Sequence, residues 1–144
     1  MNGYDLSNIL KSFSHVHKRF WGIVPEHYLP KAKIWNESLI VVNTRNHWIC
    51  IYIPPNPYEP LEYFDSLGNP PTPFVKQFIH RQHRKYIFNT RKVQGKTSIS
   101  CGSFCILFSV LRLAGLRFHS IVRLFTTSHL RNDQMVNYFV KSFT

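Results

Sequence analysis

Apolar residues in the first half of the chain recur with the period of a strand, and in the second half with the period of a helix. The segment ESLIVVNT (37–44) is rich in β-branched residues and predicts a strand. HWICIYI (47–53) alternates, with His47, Ile49, Ile51 and Ile53 on one face and Trp48, Cys50 and Tyr52 on the other. PPNPYEP cannot feed a strand ladder, because proline lacks the N–H, so it predicts a turn. LEYFDS (61–66) then returns as the second strand of a hairpin. Centring that turn on Asn56 would set Ile51 opposite Leu61, Ile49 opposite Tyr63 and His47 opposite Asp65.

Helical spacing follows. TPFVKQFIHRQHRKYIF (72–88) predicts a helix capped by Thr72, with Pro73 in its first position and Phe74, Phe78 and Ile79 on one face. In SCGSFCILFSVLRLAG (100–115), Phe104, Leu107, Phe108 and Leu111 fall at i, i+3, i+4 and i+7, and Ala114-Gly115 ends the run. DLSNILKSF (5–13) predicts a short helix with Ile9, Leu10 and Phe13 on one side. HSIVRLF and NDQMVNYFVKSF predict helices on the outside. The sum is an α+β fold: a small mixed sheet, a central buried helix and flanking helices. With no internal repeat or low-complexity linker, residues 1–144 predict a single domain.

Composition is consistent with that core: 144 residues, 44% hydrophobic and 15% aromatic. Arg112 and Arg117 interrupt the longest apolar stretch, short of the roughly 18–20 residues of a membrane span, so no membrane partner is expected. MNGYDLSNILKSFSHVHK lacks the apolar core of a signal peptide. Cys50, Cys101 and Cys105 are too few, and odd in number, for a disulfide framework, which predicts a reducing intracellular setting. They lack a second nearby pair at zinc-site spacing, so no metal or organic cofactor is expected.

Charge changes the picture more. Lys and Arg number 18 against 7 acids, and no acid lies between Asp65 and Asp133. That interval holds the whole excess of positive charge and would attract a polyanion such as DNA. A soluble basic surface with no specific partner is the plainer reading of the same charge.

Cys101 lies where a polar loop gives way to the apolar run of the second long helix, not inside the run. A thiol in the first turn of a helix sits at the positive end of the macrodipole, which favours thiolate. Ser98 or Ser100 can cap that helix, and Gly102 leaves the backbone beside the sulfur open. Cys105, one turn on, reads as a core thiol. An imidazole opposite a carboxylate at a strand end, His47 and Asp65, can be oriented and held protonated. Acyl transfer from a thiolate needs donors for an oxyanion. The backbone N–H of Cys101 is one, and the Gln94 side chain, seven residues upstream, could supply another.

NHW, EYFDSLG and VQGKTSISCGSFCILF resemble the histidine, acid, glutamine and cysteine blocks of the adenovirus protease (adenain) family, and more loosely those of SUMO-specific proteases of the same clan. KRFWGIVPEHYLP and LIVVNT are similar to the segment before the adenain histidine, so the likeness runs to about residue 110. It implies the adenain/ubiquitin-like-protease fold and a cysteine endopeptidase. Cys101 would be the nucleophile, His47 the general base and then acid, and Asp65 the orienting carboxylate. Gln94 and the Cys101 backbone would form the oxyanion hole. It implies cleavage of viral precursor proteins after small, often Gly, residues by a monomeric enzyme in the virion and host nucleus. DNA stimulation is also implied, and Arg81, Arg84, Lys85, Arg91 and Lys92 are the candidate DNA track. The acid is Asp, as in the SUMO-protease branch. HRKYIFNTRK lacks the cysteine through which adenovirus proteases join an activating peptide, which leaves room for a peptide activator only without a disulfide.

Overall fold

The computed structural model describes residues 1–144. The helices are α1 (Gly3–Lys11), α2 (Ser14–His17), α3 (Pro73–Arg81), α4 (Cys101–Leu113), α5 (Phe118–Val122) and α6 (His129–Lys141). The strands are β1 (Phe20–Pro25), β2 (Ser38–Asn43), β3 (Trp48–Ile53), β4 (Leu61–Phe64) and β5 (Tyr86–Phe88), and a short 3-10 turn covers Glu26–Tyr28. They form one five-stranded sheet in the order β1-β2-β3-β4-β5. The outer pairs, β1 with β2 and β4 with β5, are parallel; the inner pairs are antiparallel.

The alternation of β3 divides the core as the sequence predicts. Cys50 and Tyr52, with Phe64 of β4, join the cluster around Phe104, Cys105 and Phe108 of α4. Ile49, Ile51 and Ile53 join Leu61 and Tyr63 against Val75, Phe78 and Ile79 of α3. Helix α4 lies between the sheet on one side and α1, α2, α5 and α6 on the other, so apolar residues surround it. Helix α6 contributes Val136 and Val140 to that core.

Four expectations change. The β3–β4 hairpin pairs Ile51 with Tyr63 and Cys50 with Phe64, a register two residues from the one predicted. Its turn centres on Pro57, and the Arg84 guanidinium latches it by donating to the carbonyls of Pro54, Asn56 and Glu59 at 3.1, 3.3 and 3.2 Å. Because the side-chain period is two, a two-residue shift keeps every side chain on its predicted face. The predicted helix 72–88 stops at Arg81. His83 takes a left-handed backbone (φ 55°), and Tyr86–Phe88 becomes a strand beside β4. Phe74, placed on the buried face of that helix, is 49% exposed, and Val75 is buried in its place. The first helix spans Gly3–Lys11, capped by the Asn2 carboxamide on the Asp5 N–H, and buries Leu6 and Leu10. Strand β1 was not foreseen from periodicity: Pro25 and Gly22 blur its pattern, and its ladder with β2 shifts register between Phe20 and Gly22.

Candidate active site

His47 sits beside a two-residue reversal between β2 and β3. Thr44 and His47 exchange backbone hydrogen bonds (2.7 and 3.2 Å), and Arg45 and Asn46 both take positive φ, 54° and 65°, as a hairpin turn of this hand requires. The turn delivers the imidazole to the end of the sheet. Asp65 follows β4 at the same end, 3% exposed. Its carboxylate Oδ1 accepts from His47 Nε2 at 2.5 Å and from the Leu67 N–H at 2.9 Å. The two side chains thus meet diagonally in the observed register, not directly opposed as the predicted pairing had them.

Asp65 is also fixed through its backbone. Asn89, at the end of β5, accepts from the Asp65 N–H at 2.9 Å and donates to its carbonyl. The next residue anchors the glutamine loop: the Ser66 carbonyl accepts from the N–H groups of Val93 and Gln94 (2.9 and 3.0 Å). Gly68 makes that approach feasible. Its φ is 72°, and a Cβ there would lie 2.7 Å from the Lys92 nitrogen.

Cys101 opens α4, and its thiol is partly exposed while Cys105, one turn on, is buried. The helix cap differs from expectation. Ser100 makes no capping bond to the helix; the Ser98 hydroxyl accepts from the Ser100 N–H at 3.1 Å instead. Gly102 is enclosed, not open: a Cβ there would stand 3.3 Å from Met1 Sδ and 3.6 Å from Trp48 Cδ1.

With Nε2 of His47 on Asp65, the other ring nitrogen is left for the Cys101 thiol, which lines the same cleft. Burial alone would lower the His47 pKa. The bond to Asp65, then the influence of the neighbouring Cys101, outweigh it and raise the imidazole from 6.5 to about 9. Burial would likewise push the Cys101 thiol up, but the His47 bond and the N–H groups of Trp48 and Gly102 bring it below its ordinary value. The two shifts favour the same state, a thiolate beside an imidazolium. Cys105, buried against Cys50, is pushed well up and stays a thiol.

Gln94 is 2% exposed and held at both ends. Its Oε1 accepts from the Ser66 hydroxyl and its Nε2 donates to the Ser98 carbonyl at 2.9 Å, which leaves a second N–H on Nε2. His47, Gln94 and Cys101 line one cleft of about 270 Å³, walled by Trp48, Leu67 and the 91%-exposed Ile99. The structure therefore brings His47, Asp65, Gln94 and Cys101 together.

Helix α6 braces this loop, which sequence reasoning missed. Asn132 donates to the Val93 carbonyl at 3.0 Å, Asp133 accepts from the Gly95 N–H at 3.4 Å, and Asn137 donates to the Ser100 hydroxyl at 2.9 Å. Asn132 is 1% exposed in the fold, but nothing in the sequence sets it apart from a surface amide of the same helix. Of the basic residues singled out, Arg84 and Arg91 direct guanidinium hydrogens to backbone carbonyls, Arg91 to those of Val122 and Phe125 at 2.6 and 2.9 Å. Lys85 is exposed, and Arg81 and Lys92 are half-buried. No group of three or more His, Cys, Asp or Glu residues is arranged to hold a metal ion. No helix is long and apolar enough to cross a membrane.

No family model matches the chain, and no curated protein matches it. Solved structures do. The ASFV pS273R protease superposes with a TM-score of 0.73 over 94% of this chain at 15% identity, and the chain spans 65% of that protein's length. The central domain of the uncharacterized Lpg1148 protein from Legionella pneumophila aligns over 100% of this chain and 98% of its own, with a TM-score of 0.55 and 12% identity. ChlaDub1 from Chlamydia trachomatis gives 0.50 over 67% of this chain and 46% of its own, at 19% identity. The fold is the adenain/ubiquitin-like-protease type that the sequence implies, with its central helix and mixed sheet.

Proposed function

We propose that the chain is a cysteine endopeptidase that processes viral precursor proteins after small, Gly-type residues, with DNA as a stimulator. The observation that carries this is the linked series Cys101, His47 and Asp65, with the thiol on the first turn of a buried helix. The thiolate attacks the scissile carbonyl. The oxyanion meets the Cys101 N–H, one of the unpaired donors of a helix start, and the second N–H of Gln94. His47 gives its proton to the leaving amine, then takes one from the water that attacks the thioester and returns the thiol. Asp65 keeps the ring in orientation throughout. The likeness to the ASFV pS273R protease supports this reading.

The acid-free interval supports the DNA component: Lys85, Lys96, Arg123 and Arg131 are exposed. The proposed setting is the virion and host nucleus, with the chain a monomer and any peptide activator non-covalent. The test is hydrolysis of precursor-type peptides with Gly on the acyl side and of a ubiquitin-like fusion, with and without duplex DNA, at rising salt. Peptide cleavage that DNA accelerates, that weakens with salt and that disappears in Cys101→Ala is expected. Cleavage of the fusion alone would make it a deconjugating enzyme. No hydrolysis, with DNA binding that survives Cys101→Ala, would make it a basic binding protein.

A further inference from the structure

A second cavity, about 550 Å³, lies behind His47 and shares His47 and Leu67 with the cleft of Cys101. In acyl transfer the carbonyl carbon stays with the thiolate and the amine departs on the histidine that protonates it. The chain on the amine side must therefore run past His47, toward this cavity. Three prolines and Phe74 line it, together with the oxygen-bearing side chains of Glu26, Tyr63 and Asp65. Tyr63 lines it at 1% exposure with no hydrogen bond on its hydroxyl, and the charges of Asp65 and Glu26, added to burial, push that phenol up. Glu26 Oε2 is buried with no partner, and Asp65 spends only Oδ1 on His47 and Leu67. Neither Arg45 nor His27, both exposed on the lining, comes within ion-pair distance of Glu26. A buried acceptor without a donor, as Glu26 Oε2 is, is costly and calls for a ligand that brings N–H groups.

We propose that this cavity is a leaving-group-side subsite that takes the Lys or Arg side chain of a substrate. The aliphatic stem packs on the proline walls and the charged head reaches the Glu26 and Asp65 oxygens. The assignment to a substrate rests on the protease reading above; the chemistry of the cavity does not. The test digests a mixed peptide library with wild type and Glu26→Gln and sequences the new N-termini. Lys and Arg should be enriched on the leaving-group side of wild-type cuts. That preference should fall about tenfold in Glu26→Gln, the worth of one charge-assisted hydrogen bond. The acyl-side profile and the Cys101 alkylation rate should stay unchanged. A flat leaving-group profile, or one indifferent to Glu26→Gln, overturns the proposal. If no peptide is cut, the protease reading fails and the cavity is probed directly. NMR titration of Cys101→Ala with Nα-acetyl-lysine N-methylamide should then shift the Glu26 and Tyr63 amides, whereas the norleucine counterpart should not. Equal shifts from both probes, none from either, or lysine shifts that persist in Glu26→Gln would sink it.

Discussion

Strand β4 and the residue that follows it carry two carboxylates three positions apart, and each holds a cation in a different manner. Glu62 faces α4 and takes Arg112 in a two-pronged pair, Nε to Oε1 at 2.8 Å and Nη2 to Oε2 at 2.9 Å. Both residues are buried, at 4% and 9% exposure, and the guanidinium lies over the Tyr52 ring. Burial raises the Glu62 pKa, and its own bond to Arg112 works against that rise. Asp65 gives only one oxygen to His47, and the far edge of that ring opens on a cleft. The first pair is closed and its cation has no reason to give up a proton. The second is open, and its cation titrates within reach of a thiol. Closure makes an ion pair structural; an open side makes it chemical.

The largest effect that would break this contrast belongs to the open side. Cys101→Ala should lower turnover by roughly 10⁴–10⁶ with the melting temperature almost unmoved, since a partly exposed thiol contributes little packing. Turnover near the wild-type level would remove the thiol from the chemistry. On the closed side, Arg112→Met should cost about 3–5 kcal/mol, because Glu62 is left charged and unpaired in the core. Denaturant unfolding would read this. The double change Glu62→Gln/Arg112→Met should recover much of it, and a double variant as unstable as the single would show that the pair itself stabilises the fold. Gln94→Ala comes next, at about 10²–10³ in turnover with little change in KM, as the loss of one oxyanion donor requires. A KM effect alone would make Gln94 a binding residue.

The contrast also marks how far the sequence could be read. That His47, Asp65 and Cys101 come together was legible because a strand end and a helix start announce themselves in a few residues, whereas Gln94 gained weight only as the fourth member of that set. Face assignments on β3 were legible because period two survives a two-residue slip in register. The register itself was not, since prolines spread through 54–60 leave the turn centre undetermined, and the Arg84 latch that sets it is remote in sequence. The pair Glu62–Arg112 was hidden for the same reason, with fifty residues between its partners. So was the α6 brace, because Asn132 and Asn137 look like surface amides until the fold lays them on the glutamine loop. The strand β5 was lost inside a helical pattern because a parallel edge strand of three residues has too few positions to show a period.

The smallest effect is a displacement along the pH axis, and it distinguishes the two carboxylates most directly. His47 is raised from 6.5 to about 9, with Asp65 the first of the raising partners. A raised pKa means that folding favours the protonated ring. Its contribution to stability is full below about pH 6.5 and is lost as pH rises through about 9. The alkaline limb of kcat/KM should therefore fall near pH 9, where the imidazolium that protonates the leaving amine disappears. In Asp65→Asn the amide holds the ring without a charge, and that limb should move to lower pH by about 1–3 units, the usual effect of removing a close opposite charge. The stability difference between wild type and Asp65→Asn should narrow over the same interval. Arg112→Met, assayed where it is folded, should leave the limb in place, because the charge it removes serves the closed pair. A limb that stayed near pH 9 in Asp65→Asn would mean that Cys101 alone holds the proton on His47, and the carboxylate would then only orient the ring.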